Sequence, residues 1–195
     1  DYYPRDAFRS FGRLQETAAT EEMRKKRRIL MGPWSHLISL GPTLGEVDFG
    51  AASHLDINAV ALRWFDALLK DMDTGILDEP PVTIFVMGIN AWRQEAEWPL
   101  ARTRYTDYYL RGDGQAGGAL EVTPPAEEAP DRYTYDPDNP VPTLGGNHSI
   151  CWGAAFHVIQ PGPVDQRANE ARDDVLIYTT APLAEPLEVT GPITL

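Results

Sequence analysis

Between residues 5 and 19 the apolar positions Ala7, Phe8, Phe11, Leu14 and Ala18 recur at spacings of three and four, the stripe of an amphipathic helix. After a basic stretch, Arg28-Ile29-Leu30-Met31 is a short apolar run that predicts a strand, and Gly32-Pro33 breaks it at once. Residues 37–56, rich in Gly, Ser and Asp, read as an irregular loop. From Ile57 to Asp71 a second helix is expected, with Val60, Leu62, Trp64, Phe65, Leu68 and Leu69 forming a strong apolar face.

The texture then changes. Asp73-Thr74-Gly75 and Glu79-Pro80-Pro81 mark a boundary. Beyond it come short β-rich runs separated by turn residues: Val82–Met87, Tyr105–Leu110, Val175–Tyr178 and Leu187–Val189. Such alternation, with frequent Pro and Gly, predicts a sandwich or jelly roll rather than a parallel sheet. Gly112–Pro130 is the loosest stretch and reads as a surface loop. The expected fold class is therefore α/β followed by all-β. Residues 1–72 form the end of an α/β unit, and residues 80–195 form most of an all-β domain that is incomplete at its C-terminus.

Composition narrows the function. Of the 195 residues 43% are hydrophobic, enough for a packed core, which excludes wholesale disorder. A net charge of −12 argues against nucleic acid or an anionic membrane as the main partner, and no apolar run is long enough to span a bilayer. The one cysteine, Cys151, rules out an internal disulfide framework. Residues 1–36 nonetheless carry eight Lys/Arg against five Asp/Glu, concentrated in Arg24-Lys25-Lys26-Arg27-Arg28. Beside an acidic body, this run reads as a helix end or loop leading into a buried strand rather than as a phosphate-binding patch. The chain opens on Asp1 and closes on Gly-Pro-Ile-Thr-Leu, the start of a further strand, so it is expected to be a piece of a longer polypeptide; localisation is not legible.

No Gly-x-Ser-x-Gly elbow, phosphate-binding glycine loop or His-Glu-x-x-His occurs, and neither the histidines nor the single cysteine have metal-ligand spacing. What remains is His36, which ends Gly32-Pro33-Trp34-Ser35-His36 directly after a buried-looking strand. A histidine on a loop past a strand is held where a general base would be held. Asp1, 35 residues upstream and followed by a helix, stands where an orienting acid would sit. The residues alone leave a second account open: His36 as a loop histidine bonded to backbone, and Asp1 as a mere chain end.

The motif Gly32-Pro33-Trp34-Ser35-His36 resembles the histidine motif of the cocaine esterase, α-amino-acid ester hydrolase and X-prolyl dipeptidyl-peptidase group of serine hydrolases. Trp64-Phe65-Asp66, Leu69-Lys70 and Asp73-Thr74-Gly75 resemble that family's helix and its exit. Pro80-Pro81-Val82, Ile84-Phe85-Val86-Met87-Gly88, Trp92-Arg93 and Trp98-Pro99 resemble the start of its C-terminal jelly roll. Asp165-Gln166-Arg167, Arg172, Asp174-Val175-Leu176, Tyr178, Pro182-Leu183 and Val189-Thr190-Gly191-Pro192 resemble a later stretch of the same domain. The resemblance implies that the chain is the C-terminal part of such an enzyme. It makes His36 the catalytic base and Asp1 its acid, with Asp6 a weaker rival, while the nucleophilic Ser lies upstream. It implies acyl transfer through a covalent ester, no cofactor and no metal. The partner is a small-molecule ester or short peptide, with no nucleic acid and no membrane, and assembly into a homo-oligomer is left open. The chain by itself would be inactive.

Other residues carry weaker expectations. Trp34 could line an acyl pocket, although a Trp beside a Gly-Pro turn more often packs the loop. Trp64, Phe65, Trp92 and Trp98 are expected in core or interdomain contacts. His54, His148 and His157 read as surface, turn or strand residues, and Cys151 as a small buried hydrophobe. Asp165, Arg167, Arg172 and Asp174 are expected to form a salt-bridged structural network.

Overall fold

Pro4 opens the first helix, α1 (Pro4–Glu16), where its missing N–H costs nothing. The helix lays Phe11 inward, and Phe8 stacks on Trp98 with ring centroids 4.0 Å apart. The computed structural model describes residues 4–35, 41–112, 114, 117–127, 130–146 and 161–194. Asp1, His36, His148, Cys151 and His157 lie outside them. Contacts divide the chain into two compact units: residues 1–102 with 145–164 and 191–195, and residues 103–144 with 165–190.

In the first unit α1 is followed by a short helix, α2 (Glu21–Lys25), capped by the Thr20 hydroxyl, which accepts from the Met23 N–H at 3.2 Å. The basic run is thereby absorbed locally. Arg24 pairs with Glu21 at 3.1 Å and Lys26 with Glu22 at 2.6 Å, at helical spacing. Arg27 donates to the Leu14 carbonyl. Arg28 is half-buried: it donates to the carbonyls of Glu79 (3.0 Å) and Pro80 (2.7 Å), and its partial burial pushes its pKa down. Four of the five residues of the run are thus engaged within the unit, where the sequence reading expects a solvated helix end or loop.

The run delivers β1 (Ile29–Met31), which pairs in parallel with β4 (Val82–Val86) in the register Ile29↔Val82, Leu30↔Thr83, Met31↔Ile84. A parallel pair needs a long crossover. Here it includes a small hairpin of β2 (Thr43–Leu44) and β3 (Val47–Asp48), and then α3 (Ile57–Leu69). The Asp56 carboxylate caps α3 by accepting from the Ala59 N–H at 3.0 Å, and the chain leaves it through Asp71 at φ 52°. β4 then turns back through residues 87–90 into an antiparallel partner, β5 (Ala91–Glu95), so the sheet order is β1-β4-β5. Phe11, Val82 and Ile84 form the core, with Phe8, Ile29, Met31, Val86 and Trp98 packed against it.

The second unit is a three-stranded sheet, β6-β7-β8, of Tyr109–Gly112, Gly117–Glu121 and Ile177–Thr179. The middle strand, β7, falls within residues 112–130, the stretch expected to be loop. Its glycines explain both the strand and its concealment. A Cβ on Gly117 would meet the Ile177 backbone, and one on Gly118 would meet the Arg111 carbonyl, so this strand is built for close backbone approach. Leu187–Val189, expected as a strand, forms none, and both Leu187 and Val189 are exposed. A short helix, α4 (Arg167–Glu170), precedes β8. The architecture is therefore mostly small sheets with few helices, compatible with an all-β C-terminal domain. Among the described residues, no helix is long and apolar enough to cross a membrane.

Candidate functional site

The site begins where β1 ends. Past Met31 the chain turns through Gly32-Pro33, and the Trp34 indole folds back over Gly32. A Cβ on Gly32 would lie 2.5 Å from the ring, so only glycine leaves room. The Trp34 Nε1–H donates to the Ser53 carbonyl at 2.9 Å. Ser53 is almost fully buried, and its hydroxyl donates to the Gly50 carbonyl at 2.8 Å, closing the short 3-10 turn Ala51–Ser53. Trp92, on β5, donates from its Nε1–H to the Ala52 carbonyl at 2.6 Å. Two indoles therefore grip adjacent carbonyls of one turn.

The rings also contact each other. Trp34 and Trp92 lie 5.5 Å apart, Phe85 is edge-on to Trp92 at 5.3 Å, and Phe49 is edge-on to Phe85 at 6.1 Å. Such tilted pairs are the favourable arrangement for aromatic quadrupoles. Phe85 lies on β4 and Trp92 on β5, so this hairpin holds the turn that follows β1. The chain thus reaches Ser35 along a fixed path. The residue after it, His36, and its expected partner Asp1 lie outside the described residues. Asp6, the rival acid, lies exposed in the first turn of α1.

Sequence reasoning treats Trp34 as either a packing residue or a pocket wall. The structure gives it packing partners and leaves it half-buried. Sequence reasoning expects Trp92 in core or interdomain contacts but does not foresee its bond to Ala52, nor Ser53 as a support of the turn. Their partners lie 19 and 40 residues away in the chain, with no local pattern to announce them. His54 follows Ser53 and is exposed. Among the described residues, no group of three His, Cys, Asp or Glu could hold a metal ion.

Gly32→Ala is expected to push the indole away and break its bond to Ser53. The forecast loss of stability is about 1–3 kcal/mol, the cost of overpacking a filled site. Denaturant unfolding followed by tryptophan fluorescence reads both effects. An unchanged midpoint and emission maximum would contradict the tight approach.

The second unit carries a different feature, a groove of about 560 Å³ lined by residues including Arg132, Tyr133, Asp136, Asn139, Arg172 and Asp174. Arg172 grips Asp174 through two bonds of 2.7 Å and donates to the Asn139 carbonyl at 2.7 Å. Hydrogen bonding within the pair holds Asp174 below the usual carboxylate range and raises Arg172. Both stay ionised at neutral pH, so neither is poised as a general acid or base there. Arg167 likewise clasps Asp165, at 2.9 and 2.8 Å. The expected network of these four residues includes two local arginine–aspartate clasps.

Comparison with known proteins adds three findings. The sequence profile of the X-Pro dipeptidyl-peptidase C-terminal non-catalytic domain matches residues 74–195. Over 174 residues, 85% of this chain, the sequence is 40% identical to cocaine esterase from Rhodococcus sp. (strain MB1 Bresler). Among solved structures, an aminopeptidase from the marine sediment archaeon Thaumarchaeota archaeon matches 85% of the chain, with a TM-score of 0.66 and 32% identity. The chain spans 29% of the length of the esterase and 26% of that of the aminopeptidase.

Proposed function

The chain belongs to the family of the X-Pro dipeptidyl-peptidase C-terminal non-catalytic domain, within the cocaine esterase and X-prolyl dipeptidyl-peptidase group of serine hydrolases, and we infer that it is the C-terminal segment of such an enzyme. Residues 1–72 close an α/β-hydrolase domain, and residues 80–195 belong to a β jelly roll. The enzyme cleaves ester or amide bonds through an acyl-enzyme. His36 takes the proton from a serine contributed by polypeptide upstream of Asp1 and returns it to the leaving group. Asp1 fixes the imidazole tautomer and steadies the imidazolium. Trp34, two residues before the base, forms part of the wall against which the acyl group lies.

One observation carries this reading. A match to an esterase over 85% of 195 residues necessarily includes residues 32–36, whatever its ends. The support therefore reaches beyond the non-catalytic domain, which begins at residue 74, into the turn that bears the proposed base. The grip of Trp34 and Trp92 on the Ala51–Ser53 turn supports it further, since a general base needs a rigid mount. The description of residues 74–195 as non-catalytic favours a second reading for that part, a β-sandwich binding module with no role in chemistry.

Kinetics separates the two. With a chromogenic acyl ester whose acyl group leaves the enzyme slowly, the polypeptide containing this segment is expected to release a burst of about one equivalent of alcohol before steady turnover, because the acyl-enzyme then accumulates. Linear release with no burst and no acyl adduct by mass spectrometry would contradict the covalent route.

A further inference from the structure

The groove of the second unit is walled by two segments far apart in the chain, residues 132–139 and 171–174. Neither wall is helix or strand, so each needs other supports. Asp136 closes a turn in the first: its carboxylate accepts from the Asp138 N–H at 2.9 Å, and its carbonyl accepts from the Asn139 N–H at 3.2 Å. Arg172 then ties the second wall to the first. It donates to the Asn139 carbonyl at 2.7 Å and to the Asn139 Oδ1 at 3.3 Å, while its clasp on Asp174 fixes its own position. Asn169, on α4, donates to the Pro142 carbonyl at 3.0 Å and pins the chain just beyond. The groove is therefore built before any ligand arrives, which removes an ordering cost from binding.

These bonds consume Arg172, Asp174 and the Oδ1 of Asn139, and they leave other groups over. The side chains of Arg132, Thr134 and Asp173 make no hydrogen bond or ion pair among the described residues. Asn139 keeps its Nδ2 donors, and Tyr133 is 58% exposed. The volume of about 560 Å³ falls in the range of small-molecule sites. The lining is polar, which disfavours a greasy ligand. Two arginines stand against three aspartates, so charges nearly cancel, which disfavours a strongly charged one. Among the described residues, no cluster could hold a metal ion.

The walls offer a mixture: donors on Arg132 and Asn139, an acceptor on Asp173, a hydroxyl on Thr134 and the ring of Tyr133. A ring with hydroxyls on its edge and C–H groups on its face is complementary to all of them. Each hydroxyl both donates and accepts, neighbouring hydroxyls span a carboxylate or a guanidinium, and the C–H face lies against an aromatic ring. We propose that this groove is a saccharide-binding site, in which Tyr133 stacks on a sugar ring and Arg132, Asn139 and Asp173 bond its hydroxyls. The proposal does not rest on the acyl-transfer reading, and it gives the domain described as non-catalytic a ligand of its own.

Saturation-transfer difference NMR on the longer polypeptide tests it. The probes are the methyl glycosides of glucose, galactose and mannose, with maltose and cellobiose, and choline serves as a cationic control. The variants are Tyr133→Ala and Asp173→Ala. Both side chains are exposed, so the fold is expected to survive, which circular dichroism checks. The proposal expects transfer to the ring C–H protons of at least one sugar, with affinity about tenfold weaker in Tyr133→Ala, the loss of a stacked ring. Asp173→Ala is expected to weaken the same sugar several-fold. No transfer to any of the sugars overturns the proposal. Transfer that Tyr133→Ala leaves at full strength overturns it too, because the sugar then binds elsewhere. Transfer to choline alone, lost in Asp173→Ala, overturns it in favour of a cation-binding groove.

Discussion

His36→Ala, made in a polypeptide that carries the nucleophile, is expected to lower kcat by about four to six orders of magnitude while leaving the fold intact. In an acyl transfer the base is needed twice, to take the serine proton during attack and to protonate the leaving group. Members of a triad act as a unit, so losing one removes nearly the whole benefit of the constellation. The fold should tolerate the change because the turn before His36 has supports of its own, among them Gly32, the Trp34 bond to Ser53 and the Trp92 bond to Ala52. Single-turnover kinetics on an activated ester, paired with circular dichroism, reads both parts. Near-normal turnover would show that His36 is not the base.

Asp1→Asn is expected to cost about four orders of magnitude in kcat, through a different route. The amide occupies the same space but presents an N–H toward the imidazole, favouring the wrong tautomer, so the base arrives already protonated on the nitrogen that should accept. KM should move little, since ground-state binding does not use the carboxylate. Asp6→Asn makes the control: Asp6 lies exposed on α1 and is expected to be silent. If Asp6→Asn were crippling and Asp1→Asn silent, the acid would be Asp6.

Much of the first unit was legible because its signals are local. The three-four spacing of Phe8, Phe11 and Leu14 and the apolar run before Gly32 predict α1 and β1, and the structure gives Pro4–Glu16 and Ile29–Met31. The run Val82–Met87 likewise becomes β4, over Val82–Val86. The misses have physical causes. β7 hides because its opening, Gly117-Gly118-Ala119, has poor strand propensity, yet the sheet needs those glycines for backbone clearance. Leu187–Val189 has the right composition for a strand but joins none of the sheets formed by the described residues. Propensity describes a residue, whereas a strand also needs a partner.

Phe65 shows the same limit from another side. The helical pattern places it on an apolar face, and a core or interdomain contact is expected for it; within this chain it stands 48% exposed on one side of α3. The pattern was right about chemistry and silent about which surface this chain itself covers. At the candidate site, Gly32-Pro33-Trp34 announced a tight turn, which the indole over Gly32 explains. The grip on Ala52 and Ser53 was invisible, because hydrogen bonds from indoles to distant carbonyls leave no trace in local spacing.

The most direct test of the hydrolase reading is fluorophosphonate labelling of the polypeptide that contains this segment, with the modified peptide identified by mass spectrometry. The reading predicts a single labelled serine upstream of Asp1, with labelling lost in His36→Ala. Labelling that persists in His36→Ala, or a polypeptide with no reactive serine, would contradict it and leave residues 74–195 as a binding module without chemistry.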